Sequence, residues 1–224
     1  MPTIQPITLP ARLDKEAVNA VYRGIAPLYD IWGALTETKA RSRCLEVADI
    51  RDGESVLEVA VGTGLTFAEI LKRNPSGFTE GVDLTSAMLE RARKRAAAIG
   101  GNNYVLNVGD AYHLDVADAT FDVVVKNFMF DLLPEPDFAI VLAEFKRVLR
   151  PGGRLVLANM AHARHWHHRL WETVYNINPA WMGGCRGVAL EGPMRAQGFV
   201  NLQREFVSQM TFPAEIVSGI KPER

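Results

Sequence analysis

From Ser55 onward the chain alternates short apolar runs with helical stripes, and this alternation constrains the fold more than any other feature. Val56 to Val61 is a continuous apolar run that ends at glycines. Phe78 to Leu84, Tyr104 to Val108, Phe121 to Lys126 and Arg154 to Asn159 are further runs of strand type. Strands covered on both faces by crossover helices read as unbroken apolar runs, so these segments predict buried parallel strands. Between them lie Phe67 to Lys72, then Ser86 to Ile99 with Met88, Ala92, Ala96 and Ile99 on one face. Asp137 to Leu149 follows, with Phe138, Val141, Leu142, Phe145, Val148 and Leu149 on one helical stripe. That helix is expected to end at Arg150-Pro151-Gly152-Gly153, where proline and glycine break it. Two final strand-like runs, Phe199 to Val207 and Met210 to Val217, complete an α/β series. The prediction is a doubly wound, mainly parallel, seven-stranded sheet.

Two regions stand outside the series. Residues 14–50 are helical in pattern, with Val18, Val21, Tyr22 and Ile25 on one stripe and Leu28, Ile31, Trp32 and Leu35 on another. They predict an N-terminal helical cap over residues 1–50, followed by an α/β domain over 51–224 that carries a helix-rich insert at about 161–198. Loops and inserts at strand ends are where substrate selectivity usually resides. A length of 224 residues suits one domain, and a formal net charge of -1 supplies no basic field for nucleic acid. Cys44 and Cys185 lack any paired spacing, which gives neither a disulfide framework nor a zinc site. The opening MPTIQPITLP has no leader pattern and no run is long enough to span a bilayer, so a cytoplasmic location is expected.

In an open α/β sheet, ligands bind beyond the carboxyl ends of the strands, near the point where strand order reverses. The loop Ala60 to Leu65 lies there, with Glu58 on the strand before it and Gly62 and Gly64 allowing a ligand close to the main chain. A lone GxG fits several nucleotide folds. Asp83 ends the second strand in GVDLTSAML, where a carboxylate reaches ribose hydroxyls, although it could also serve only as a helix N-terminal charge. Asp110 ends the third. A nicotinamide dehydrogenase would want a small residue where Phe67 stands, which argues against a dinucleotide.

As a set, VLEVAVGTG, GVDLTSAML, VGDAYHLDVADATFDVVV and LRPGGRLVL resemble the successive motifs of class I S-adenosylmethionine-dependent methyltransferases, from about Val56 to about Asn159. The resemblance implies a Rossmann-like methyltransferase fold, S-adenosylmethionine as cofactor and S-adenosylhomocysteine as product. It assigns Glu58, Gly62 and Gly64 to the methionine and ribose part, Asp83 to the ribose hydroxyls, and Asp110 with Ala111 to the adenine. Leu84 and Met88 would pack on the adenine face, and Lys126 and Asn127 would line the floor near the methyl group. Ala60 stands where many members have glycine, a variation common in the ubiquinone and menaquinone group.

The segment YRGIAPLYDIW resembles the opening of methyltransferases acting on quinones and phospholipid head groups, which makes Tyr22 and Tyr29 candidates for closing the site or packing its helices. Beyond the fifth strand, His162 is placed to act as a general base or to orient an acceptor hydroxyl. His165 and His168 share a helical face but lack a third metal ligand of recognisable spacing, so no metal is expected. Arg154, Arg164, Arg169, Arg186 and Arg195, set among tryptophans, suit a lipophilic acceptor that carries negative charge, or else form a solvated basic face. The expectation is an enzyme moving a methyl group by in-line displacement to a small quinol- or phenol-like acceptor. A phospholipid amine at a membrane surface and a non-catalytic cofactor-binding module remain open alternatives, the first with peripheral membrane contact.

Overall fold

The structure is a computed structural model, and it describes residues 8–12, 33–101 and 103–223. Tyr22, Tyr29 and the stripes from Val18 to Trp32 lie outside these residues. The strands are β1 (Ser55–Val59), β2 (Phe78–Asp83), β3 (Tyr104–Val108), β4 (Phe121–Asn127), β5 (Leu149–Met160), β6 (Val200–Gln209) and β7 (Phe212–Ile220). The helices are α1 (Thr38–Ala48), α2 (Leu65–Arg73), α3 (Ser86–Ile99), α4 (Phe138–Val148), α5 (Arg169–Ile177) and α6 (Glu191–Ala196).

The seven strands form one sheet in the order β3-β2-β1-β4-β5-β7-β6. β1 to β5 run parallel, and β7 lies antiparallel to both β5 and β6. This is the doubly wound sheet that the alternation predicts. Strand order reverses between β1 and β4, which brings the loops after both strands to one crevice.

The two sheet faces sort the apolar residues by parity along each strand. Leu57, Val59, Val124, Leu155 and Leu157 meet the α4 stripe of Phe138, Val141, Leu142 and Phe145, with Met194 of α6 beside it. Phe130 packs edge-to-face on both Phe138 and Phe145, an arrangement that adds to plain area burial. On the opposite face, Val56, Val123, Val125, Val156 and Ala158 meet Cys44, Leu45 and Ala48 of α1. The described end of the N-terminal region is therefore a packed layer of the sheet. Leu35, which precedes α1, is exposed.

Two boundaries differ most from expectation: β7 begins at Phe212, because Met210 and Thr211 form a left-handed turn, and α4 ends early. α4 ends at Val148, and Leu149 already pairs with Phe121 in β5. Arg150-Pro151-Gly152-Gly153 forms an irregularity within the strand, where Gly152 at φ +75° donates its N–H to the Lys221 carbonyl at 2.9 Å. Periodicity counted Leu149 as helical because its side chain is buried in the same cluster as the α4 stripe.

Candidate active site

The loop after β1 is built from left-handed residues. Ala60, Gly62 and Gly64 have φ of 55°, 58° and 82°. The two glycines serve different ends. A Cβ on Gly64 would lie 2.7 Å from the Ala92 Cα, so this glycine lets α2 start tightly against α3. A Cβ on Gly62 would meet nothing within 4 Å, which leaves the loop backbone open to a ligand. Ala60 holds a conformation that L-residues avoid at a cost of about 1–2 kcal/mol, which accounts for the glycine common at this point in the resembling sequences. Phe67 is fully buried, and the small partner it needs is on the strand: a Cβ on Gly81 would sit 2.8 Å from its ring.

Asp83 ties the loop to the second strand. One carboxylate oxygen accepts the Gly62 N–H and the other the Thr85 N–H, each at 2.8 Å. Asp83 thus braces loop and helix entry, and the Thr85 side chain bonds it as well. Burial pushes its carboxyl up, and the Gly62 and Thr85 donors act against that shift. Asp110 accepts the Tyr112 N–H at 3.2 Å, beside buried Ala111. Leu84 is exposed at the carboxyl edge whereas Met88, in the first turn of α3, is buried.

A second group lies at the ends of β1, β4 and β5. Glu58, Lys126, Asp131 and Asn159 are all buried. The Asn127 amide donates to Thr66 Oγ1 at 3.3 Å, while its Oδ1 has no partner. Nor do Glu58 Oε2, Lys126 Nζ, or either amide atom of Asn159, whereas the buried Asp131 carboxyl has the Cys185 thiol as a donor beside it. Buried polar atoms are nearly always paired, so an orphan set at strand ends marks a place where a ligand or water belongs. Burial raises the Glu58 carboxyl well above the usual range, against the opposing pull of Lys126 and a Thr66 hydrogen bond. Burial likewise lowers Lys126 to about 8, opposed by Asp131 and then Glu58.

His162, just past β5, is buried with its Nε2 3.4 Å from Thr8 Oγ1, and burial lowers its pKa. His168 caps the turn before α5, with its Nδ1 accepting the backbone N–H of Arg164 and His165. The arginine set is not gathered on the acceptor side. Arg154 binds Glu54 and the carbonyls of Ala48 and Asp49, near the amino end of β1. Arg195 pairs with Glu191, and Arg164 lies over the Phe206 ring. Arg186 is wholly buried and donates to the carbonyls of Leu9, Asp131 and Leu133. Counting charges in sequence could not separate such bracing from ligand contact. Asp131 and Asn159 were not singled out as site residues from sequence. The available signal for Asp131 was an acid inside the apolar run FMFDLL.

Residues 56–153 match a family described as a methyltransferase domain. Demethylmenaquinone methyltransferase of Staphylococcus aureus strain JH9 is 33% identical over 150 residues, covering 65% of this chain and 61% of the relative. The protein of strain Newman matches equally. The matched region thus spans 61% of the length of these relatives. Among solved structures, the [4+2]-cyclase SpnF superposes with TM-score 0.75 at 17% identity, covering 96% of this chain and 99% of the other. Phosphoethanolamine N-methyltransferase 2 of Haemonchus contortus, in complex with S-adenosyl-L-methionine, gives TM-score 0.66 at 15% identity, covering 83% and 53%. Identities this low speak to fold alone, and a cyclase on the same fold shows that fold does not set the reaction.

Proposed function

We propose that this chain, whose residues 56–153 match a methyltransferase domain, is a class I methyltransferase that binds S-adenosylmethionine at the carboxyl edge of β1, β2 and β3 and methylates a small lipophilic acceptor of quinol or phenol type. The observation that carries the cofactor reading is the pair of orphan acceptors Glu58 Oε2 and Asn127 Oδ1, on the two strands that flank the switch point. An α-ammonium group supplies the donors these atoms lack. Gly62 leaves the loop open to the ligand, and the Asp83 carboxylate that holds the Gly62 N–H suits a ribose hydroxyl. Leu84 after β2, and Asp110 with Ala111 after β3, would suit a flat base.

The cofactor supplies an electrophilic methyl group on a sulfonium that departs as a neutral thioether. What remains for the protein is to align an acceptor with that methyl and exclude water, a contribution of about 7–11 kcal/mol when orientation is well held. The quinol-type acceptor is supported by the demethylmenaquinone methyltransferases of Staphylococcus aureus, the most extensive sequence matches described above. The phosphoethanolamine enzyme favours an amine acceptor, but its likeness rests on fold.

Calorimetry with S-adenosylhomocysteine and with NAD tests the cofactor. Binding of the former and not the latter is expected, and the reverse refutes the proposal. Asp83→Ala should weaken S-adenosylhomocysteine by about 1–3 kcal/mol, and unchanged affinity refutes its ribose role.

A further inference from the structure

We propose that Thr66 is a positioning residue for the amino-acid end of the cofactor, its single hydroxyl proton deciding which atoms Glu58 and Asn127 present to the α-ammonium group. The inference rests on the S-adenosylmethionine reading and adds to it the residue that aims the two acceptors.

The sheet brings the three residues together. Glu58 on β1 lies opposite Val125 on β4, so Asn127 stands two residues nearer the carboxyl edge, and residues two apart along a strand share a face. It is the face on which Val56 and Val125 pack against Ile70 of α2. Thr66 is buried in the first turn of α2, the helix that covers this face. That turn is held from both sides. Gly64 lets α2 start close against α3, and Phe67, the residue after Thr66, is fully buried against Gly81 of β2.

The hydrogen bonds then set the orientation. A threonine hydroxyl has one proton to give. Thr66 bonds the Glu58 side chain, and an ionised carboxylate only accepts, so the Thr66 hydroxyl is the donor. Oγ1 is left as an acceptor, and Asn127 meets it with Nδ2 at 3.3 Å. Asn127 Oδ1 is thereby turned away from Thr66, and it and Glu58 Oε2 are both buried without a partner. An amide or hydroxyl ligand would bring an acceptor of its own to these two atoms, whereas an ammonium group carries donors only. Burial works against the ionised Glu58, Lys126 and the Thr66 bond work for it, and an incoming ammonium adds to their side. Without the hydroxyl nothing on α2 holds Nδ2 inward, and a flipped Asn127 amide would set its own donors against the ammonium.

The test is isothermal titration of the full chain with three ligands. They are S-adenosylhomocysteine, its deamino analogue, in which hydrogen replaces the α-ammonium group, and methylthioadenosine, which lacks the amino-acid end. Wild-type protein should bind S-adenosylhomocysteine about tenfold or more tighter than the deamino analogue. Thr66→Val, which keeps the shape and removes the hydroxyl, should weaken S-adenosylhomocysteine by about tenfold and leave the other two ligands within about twofold. Thr66→Ser, which keeps the hydroxyl, should return S-adenosylhomocysteine to within about threefold of wild type. A loss shared equally by all three ligands overturns the proposal, because damage to the loop or helix does not read the ammonium group. So does unchanged S-adenosylhomocysteine affinity in Thr66→Val, or a serine variant no better than the valine one. If Thr66→Val binds none of the three, Thr66→Ala replaces it under the same criteria, and total loss there also overturns the proposal. Wild-type protein that binds the deamino analogue as tightly as S-adenosylhomocysteine overturns it while leaving the cofactor reading standing. Wild-type protein that binds neither S-adenosylhomocysteine nor methylthioadenosine fails the cofactor reading itself, and this inference with it.

Discussion

Arg186→Met should destabilise the protein by about 3 kcal/mol while leaving its secondary structure intact. The Arg186 side chain is 1% exposed and donates to the carbonyls of Leu9 at 2.6 Å, Asp131 at 2.8 Å and Leu133 at 2.5 Å. The Asp131 carbonyl keeps the Arg186 backbone N–H as a second partner at 3.2 Å, so its loss costs only about 0.5–1.5 kcal/mol. The Leu9 and Leu133 carbonyls lose a charge-assisted donor, about 1–3 kcal/mol each, toward the lower end because both bonds are part-buried and water can reach them. Every hydrogen-bonded partner is a neutral carbonyl, so the full penalty for splitting a buried ion pair does not apply, although the buried Asp131 carboxyl loses the favourable field of the guanidinium. Removing the guanidinium also relieves its own desolvation, which holds the total near the middle of the range. Urea unfolding followed by far-ultraviolet circular dichroism reads the free energy, and a melting temperature lower by about 6–12 °C is expected for a chain of this size. Arg186→Lys, with one compact ammonium in place of a planar fork, should recover less than half of the loss. A loss under about 1 kcal/mol, or full rescue by lysine, would refute the bracing role.

The nucleotide loop supplies two opposed substitutions. Gly64→Ala should cost about 2–5 kcal/mol, from a left-handed alanine at φ +82° and a Cβ driven against the Ala92 backbone; a loss below about 1 kcal/mol in urea unfolding would contradict the packing. Ala60→Gly should be neutral or stabilising by up to about 1 kcal/mol, because release from the left-handed region outweighs one partly buried methyl, and a clear loss would refute the strain. Burial pushes the Cys44 thiol up to about 12, and Cys185 is also buried, so neither should react with a disulfide reagent at pH 8 until urea is added. Lys126, lowered to about 8 in the folded chain from 10.5, contributes stability that is present above its unfolded pKa and is lost as pH falls through about 8. Lys126→Met should therefore flatten the rise in stability between those two values, and an unchanged slope would show that Lys126 is not the group responsible.

The local pattern carried much of the architecture because strand and helix periods are properties of neighbouring residues. The β3 boundaries, the extent of α3 and the buried stripe of α4 follow directly from it. The end of α4 does not, since Leu149 is buried by the same cluster whether it is helical or paired with Phe121, and only that pairing separates the two. Among candidate site residues, the positions of Glu58, Gly62, Gly64, Asp83 and Asp110 at strand ends were legible because each is marked by glycine or by a helix start. The distinct duties of Gly62 and Gly64 were not, for they depend on where α3 passes.

The arginines make the same point from the other side. Composition placed Arg154 and Arg186 together as partners for an anionic acceptor. Folding sends Arg154 to Glu54 near the amino end of β1 and turns Arg186 inward onto three carbonyls, because a guanidinium goes wherever the backbone leaves acceptors unpaired. Sequence by itself determined the alternating α/β order, the glycine loop and the acids at the strand ends, all set by spacing along one chain. Tertiary structure alone decided that Lys126 and Asn159, on neighbouring strands, are buried with polar atoms left without a partner, since hydrogen-bond satisfaction depends on which strands become neighbours.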